Sequence, residues 1–379
     1  MRKMHSTFAA LSLALFLGGA SSATAQFYAQ HNLVSDIPGL ADLTDPSLVN
    51  AWGLAASTTS PWWVSNNGSS TSTLYNGNTG AKIALTNLPC GCVIIPGEPT
   101  GVVFNGGAGF VVTDAVSMAS GPARFVFASE DGSISGWNPG VPPPAPPPPL
   151  VSSQAIVAVP PSEAVYKGIA IASTTPGNVA GDRLYVTNFH AGTVDMYDHN
   201  FAPVHIAGAF SDPDIPKGYA PFGIRNVDGV IYVTYALQDA DAHDDVPGMG
   251  HGFVNAFRTD GTFMRRVASR GTLNSPWGLA VSPDSFGKFG GSLLIGNFGD
   301  GRIHAYDPED TRGNREFKYR GMLHSAGGPP LEIDGLWALS FGNGATAGPE
   351  DTLFFTAGPG GESHGLFGSL VAAPAPGRD

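Results

Sequence analysis

Apolar residues along this chain come in short runs of four to six, rich in Val, Ile, Phe, Tyr and Trp, each bounded by Gly, Asn, Asp or Pro. Runs of that length and composition predict β-strands. A glycine opens one run in each of six groups: Ala51-Trp-Gly53-Leu, Pro99-Thr-Gly101-Val, Tyr166-Lys-Gly168-Ile, Pro221-Phe-Gly223-Ile, Pro276-Trp-Gly278-Leu and Ile333-Asp-Gly335-Leu. The groups recur about every 50–70 residues, the period of a propeller blade. A second run follows each glycine group, at Trp62 to Ser65, Arg124 to Ala128, Arg183 to Thr187, Val230 to Thr234, Ser292 to Ile295 and Thr352 to Thr356. Third strands are expected near Ser72 to Tyr75, Ser133 to Trp137, Thr193 to Tyr197, Phe253 to Phe257, Arg302 to Tyr306 and Leu366 to Val371. The prediction is an all-β fold, a six-bladed β-propeller of four-stranded antiparallel blades starting near 51, 99, 166, 221, 276 and 333.

The sixth group has three strands before the chain runs out, and a blade without its outer strand leaves an open edge. Residues Phe27 to Val34 read as a strand with no blade of its own. They are expected to close the ring by joining the last blade, so that positions 26–372 form one propeller domain and 373–379 a disordered tail. The long second interval contains Pro139 to Pro149, a polyproline stretch that cannot enter a sheet and is placed in a loop over 138–150.

Composition adds three things. Met1 to Ala25 has a short basic start, an apolar centre and Ala23-Thr-Ala25 before Gln26, the pattern of a secretory signal peptide, so a secreted protein, periplasmic or extracellular, is expected. No later window is apolar enough to span a membrane. A net charge of −12 with 19 Lys and Arg against 31 Asp and Glu excludes nucleic acid as a partner, because phosphate contacts need clustered cations. The two cysteines, Cys90 and Cys92, are compatible with a local disulfide, with free thiols or with metal. A monomer is expected.

Where Trp-Gly-Leu-Ala, Thr-Asn-Phe and Gly-Asn-Phe-Gly-Asp-Gly recur in phase, the chain resembles NHL-like and TolB-like six-bladed propellers. More closely it resembles a family of exported bacterial proteins with that fold and no assigned activity. The resemblance covers Asn32 to Val371, and its most specific motifs are Phe125 to Trp137, Gln238 to Asp245 and Leu273 to Tyr306. It implies fold and export, and leaves activity open.

In a propeller the loops leading into the inner strands and the turns after the second strands meet at one mouth of the channel, where ligand sites gather. Asn66, Glu130, Asn188, Asn297, Trp277 and Asp334 are the ligand-binding candidates there. The asparagines are equally read as turn residues that bond their own backbone. Trp52, Trp277 and Trp337 are equally read as packing between blades.

The insertion Gln238 to His251 places Asp239, Asp241, His243, Asp244 and Asp245 within seven residues. Hard oxygen ligands of this kind suit Ca²⁺ or Mg²⁺, and the histidine admits Zn²⁺ or Mn²⁺. A solvated loop whose carboxylates cap local backbone is the structural alternative. A second set, Glu98, Asn274 and Asp334, resembles the cation site of gluconolactonase-type propellers. No Gly-x-Ser-x-Gly nucleophile motif, His-Glu-x-x-His, phosphate-binding loop or dinucleotide glycine pattern occurs, and Gly132 to Gly136 puts Ile134 where a nucleophile would stand. No catalytic residue is assigned. The expected function is therefore binding of a small ligand, a divalent cation or a partner at the mouth. A metal-dependent lactonase or esterase of gluconolactonase type is the alternative.

Overall fold

A computed structural model describes residues 27–144, 146, 151–308 and 316–374. Its strands form six antiparallel sheets, five of them four-stranded and the sixth extended by one short parallel strand. Blade 1 runs Ala51–Ala55, Trp62–Asn66, Thr71–Tyr75 and Val93–Ile94. Blade 2 runs Pro99–Phe104, Phe125–Ser129, Ile134–Trp137 and Ile156–Val159, and blade 3 Tyr166–Ser173, Asp182–Asn188, Thr193–Asp198 and Pro203–Val204. Blade 4 is Tyr219–Val227, Val230–Leu237, Phe253–Arg258 and Phe263–Ser269, and blade 5 Pro276–Val281, Leu293–Asn297, Ile303–Asp307 and Lys318–Met322. Blade 6 takes Leu336–Phe341, Leu353–Ala357 and Leu366–Ala373 from the end of the chain and Phe27–Ser35 from its beginning. This is the predicted six-bladed propeller with the predicted closure. The closing strand pairs antiparallel over Phe27↔Ala373 to Ser35↔Leu366, with a bulge at Leu33.

The second strands read as unbroken apolar runs because neighbouring blades cover both of their faces: Trp62–Asn66, Leu293–Asn297 and Leu353–Ala357 are buried throughout. The recurring glycine has a steric cause. A Cβ on Gly53 would lie 2.5 Å from the Thr100 carbonyl oxygen, and one on Gly223 would lie 2.2 Å from that of Trp277. The inner strand of the next blade passes there, so these positions admit no side chain, whereas Gly335 lies before the inner strand of blade 6, with a φ of +65° and a Cβ position 2.3 Å from the Gly358 carbonyl oxygen of its own blade. Threonine hydroxyls fasten two other joints, those of blades 2–3 and 3–4: Thr100 Oγ1 donates to the Tyr166 carbonyl at 2.8 Å and Thr187 Oγ1 to that of Phe222 at 2.7 Å.

Two details lie outside the repeat. Val111–Thr113 and Ser120–Pro122 make an extra hairpin inside blade 2. Cys90 and Cys92 form a disulfide. The described part of the proline-rich stretch joins the third and fourth strands of blade 2. The segment expected to be a signal peptide and positions 375–379 of the expected tail lie outside the described residues, while Ala373, expected in that tail, belongs to a blade 6 strand and pairs with Phe27.

Candidate functional site

Four of the six inner strands bring an aromatic ring to the axis, Trp52, Phe222, Trp277 and Trp337, and these rings meet. Trp52 stacks on Trp337 with centroids 3.6 Å apart, Phe298 stacks on the same indole at 4.0 Å, and Trp277 stands edge-on to Trp337 at 5.6 Å and to Trp52 at 6.2 Å. Phe222 reaches Trp337 at 5.9 Å and carries Phe189 behind it at 5.2 Å. Blades 1, 3, 4, 5 and 6 thus contribute to an aromatic plug across the channel. Trp277 belongs to this plug, and its Nε1 donates to the Lys167 carbonyl at 3.0 Å.

Over the plug lies a polar cluster centred on Lys167, which is only 2% exposed. Its ammonium sits 5.3 Å above the Trp52 ring, donates to Glu130 Oε1, and donates to Asp244 Oδ1 at 3.0 Å. Glu130 Oε2 accepts from Asn67 Nδ2 at 2.8 Å. Asn50 Nδ2 donates to Asn67 Oδ1 at 3.2 Å and to Glu362 Oε2 at 2.8 Å. The Trp337 indole N–H donates to Asn50 Oδ1 at 3.2 Å, fastening the cluster to the plug. The parts come from the loops of blades 1, 2, 3 and 6 and from the long blade 4 insertion, which reaches over the mouth.

The electrostatics follow from burial and crowding. Burial opposes the Lys167 charge, but Glu130 and Asp244 outweigh it and hold its pKa above that of an ordinary lysine. Burial likewise works against Asp244, and Lys167 together with His243 outweighs it, keeping that carboxyl below its usual range. For Asp245 burial wins, pushing its pKa from 3.8 to about 6 despite Lys167. Asp245 Oδ2 is buried without a hydrogen-bond partner among the described residues. Burial also raises Glu362, with the negative charges of Glu130 and Asp244 adding to it. Four carboxylates therefore share one ammonium, and two of them are held reluctant to ionise.

The sequence candidates divide accordingly. Glu130, His243 and Asp244 come together with ligand atoms within 4.8 Å of one another. Asp239 instead caps its own loop, accepting from the His243 backbone N–H at 2.9 Å, and Asp241 is exposed. Asn66 bridges Thr71 and Thr73 in its own hairpin, each at 3.1 Å. Asn188 bonds Asp195 at 3.0 Å, and Asn297 bonds the Thr272 carbonyl at 2.8 Å. These three serve their own blades, as turn asparagines do. The set of Glu98, Asn274 and Asp334 is dispersed into separate tasks: Asp334 Oδ2 accepts from Gly360 N–H at 2.9 Å, Asn274 Oδ1 from Gly248 N–H at 2.6 Å, and the Glu98 side chain is exposed. Sequence reasoning missed Lys167, Asn67 and Glu362. For Lys167 the signal was its place beside Gly168, where the other inner strands carry Trp52, Phe222 and Trp277.

A divalent cation is the group that the gluconolactonase resemblance implies, and the donor chemistry of Glu130, His243 and Asp244 suits one. The Lys167 ammonium, however, already bonds two of these three residues. The residues as they stand do not fit a resident metal unless that ammonium moves.

No family model matches the chain. Two curated relatives come from Acanthamoeba polyphaga mimivirus. Uncharacterized protein R648 is 33% identical over 350 residues, covering 89% of this chain and 78% of the relative. Uncharacterized protein L690 is 32% identical over 352 residues, covering 89% and 84%. These relatives are viral, so they lend no support to the bacterial and exported part of the resemblance. Among solved structures, a Bacteroides thetaiotaomicron protein of unknown function is similar with a TM-score of 0.52 at 12% identity, covering 90% of this chain and 76% of that one, which bears on the fold alone.

Proposed function

This chain belongs to the family of the mimivirus proteins R648 and L690, and from that premise and the mouth geometry we propose that it is a binding propeller whose mouth takes a small ligand bearing a positive charge. The observation that carries this reading is the charge imbalance around Lys167, where Glu130, Asp244, Asp245 and Glu362 surround a single ammonium. An incoming amine or guanidine placed at Asp244, Asp245 and Glu362 would offset the burial, and the lesser repulsion, that raise the pKa of Asp245 and Glu362, while the plug gives it an apolar floor. No group here is arranged as a nucleophile with an adjacent base, so binding accounts for the site without chemistry.

Calorimetric titration with putrescine, with 1,4-butanediol as the neutral control, tests the reading. Putrescine is expected to bind, and to bind about tenfold more weakly to Glu362→Gln and at pH 5, where Asp245 takes up its proton. Equal affinity for the diol, or no putrescine binding at low ionic strength, would sink the proposal.

The Glu130, His243 and Asp244 grouping favours a second reading, a divalent cation that displaces Lys167. Ca²⁺ or Mg²⁺ should then bind Lys167→Met more tightly than the unmodified protein, and elemental analysis after dialysis would detect it. A lactonase would need Asp334, Glu98 and Asn274 to converge. Lactone turnover lost both on chelation and in Asp334→Ala would revive that alternative. Export is part of the proposal as well, and a mature N-terminus at Gln26 in the secreted fraction would establish it.

A further inference from the structure

Beneath the aromatic plug the channel continues as a separate chamber of about 370 Å³. Its walls are the later residues of the inner strands, from Gly53 to Ser57, Gly101 to Phe104, Ile169 to Ile171, Ile224 to Asn226 and Ala338 to Phe341, with Trp62, Trp277, Leu279 and Asn343. Most are apolar: glycine, alanine and branched aliphatic residues, with four aromatic ones. One ionisable side chain lines the chamber, that of Arg225.

Arg225 leaves the inner strand of blade 4 and reaches across to blade 6, where one terminal nitrogen donates to the Leu339 carbonyl at 2.8 Å and the other to Ser340 Oγ at 3.1 Å. Both acceptors are uncharged. A guanidinium carries five N–H donors, so two are used and three are left without a partner among the described residues. The surrounding protein depresses the pKa of the half-buried Arg225, and no carboxylate offsets that depression. The other polar side chains of the wall are committed: Asn226 donates to the Ile171 carbonyl at 3.0 Å, and Asn343 to the Ser57 and Ser60 carbonyls at 2.8 and 3.0 Å. Arg225 is half-buried on an apolar wall with no counter-ion beside it, and guanidinium matches a carboxylate in a planar, two-point fit.

We propose that this chamber is a binding site for a small organic carboxylate, its charged end on Arg225 and its apolar body against Leu54, Val103, Ile169, Ile224 and Leu279. The volume falls within the range of small-molecule sites, and the mixture of apolar wall with one convergent charged group is what such sites present. This site is distinct from the acidic mouth. The plug lies between the two, and each is selective for the opposite charge.

Benzoate, its neutral counterpart benzamide and inorganic phosphate are the probes, followed by calorimetry and by tryptophan fluorescence, since Trp62 and Trp277 line the chamber. The unmodified protein is expected to bind benzoate at least tenfold more tightly than benzamide, with a change in fluorescence. Arg225→Gln is expected to bring the two affinities within about twofold, and Arg225→Lys to keep a reduced preference. Equal binding of benzoate and benzamide by the unmodified protein, or no benzoate binding at 10 mM, would overturn the proposal without any variant that has to fold. Retention of the full preference by folded Arg225→Gln would overturn it too. Phosphate binding as tight as benzoate would show that charge alone is read, and would remove the apolar part of the assignment.

Discussion

At the scale of single residues, the mouth is governed by one lysine and by the carboxylates that outnumber it. Replacing Lys167 with methionine leaves Glu130 and Asp244 facing each other without a cation, and because Asp244 is largely exposed the expected loss is about 2–3 kcal/mol, at or below the low end for a broken buried pair. A denaturant titration at pH 7 would check this, and unchanged stability would mean that Lys167 is dispensable to the cluster. Asp245 works in the opposite sense. Its carboxyl holds a proton more tightly when folded, at about 6, than at its ordinary 3.8. The stabilisation from that bound proton is complete below pH 4 and is lost as pH rises to about 6. Asp245→Asn is therefore expected to leave stability nearly unchanged at pH 4 and to raise it by up to about 2 kcal/mol at pH 7. A variant no more stable than the parent at pH 7 would show that the Asp245 charge is better accommodated than its surroundings suggest. Glu130, His243 and Asp244 were legible in the sequence because each sits in a turn after a second strand. Lys167 was not, because side chains alternate along a strand: Tyr166 turns into its own blade, where its hydroxyl meets Tyr197 at 2.7 Å, and the next residue faces the axis.

At the scale of elements, the glycine-led inner strand is the unit that the chain repeats. Gly223→Ala pushes a methyl group to 2.2 Å from the Trp277 carbonyl oxygen, and only a shift of blade 5 backbone makes room. The expected cost is about 2–3 kcal/mol, read as a lower denaturant midpoint with unchanged slope. Gly327→Ala, whose nearest atom would be 3.6 Å away, serves as the neutral control. Equal effects of the two would mean that the close approach of blades is not what selects glycine. These glycines made the strands and their phase readable from sequence, since the steric demand acts on the backbone and leaves no substitute residue. The two-stranded excursion from Val111 to Pro122 was not readable. It answers to the local packing of Phe110 on Phe201 in blade 3, outside the repeat. The blade 4 insertion was readable as acidic, but not as a flap over Lys167, because that contact spans 77 positions of sequence.

At the scale of the whole molecule, closure ties the six blades into one cooperative object. Removing residues 26–35 takes eight cross-strand pairs from blade 6 and takes away Tyr28, whose ring covers Phe286 of blade 5 at 4.7 Å. The melting temperature should fall by many degrees and the transition should broaden. A truncated protein that melts like the parent would mean that the ring does not depend on its clasp. The plug divides the axis into an acidic mouth and a chamber with a lone arginine, so putrescine and benzoate should bind without competing. The number of blades and the place of the clasp could be read in advance. The division of the channel could not, because it arises where rings from five blades meet and no one blade encodes it.

The clasp has a further use. Phe27 and Ala373 are cross-strand neighbours, so a short peptide could join the two and the chain could be cut open elsewhere. The exposed bend at Gly177, with nothing within 4 Å of its Cβ position, is a suitable cut. Such a circular permutant would carry every blade on a continuous stretch except the third, which would inherit the seam. Comparing its refolding with that of the parent would show whether the position of the seam matters to this ring, or only its presence.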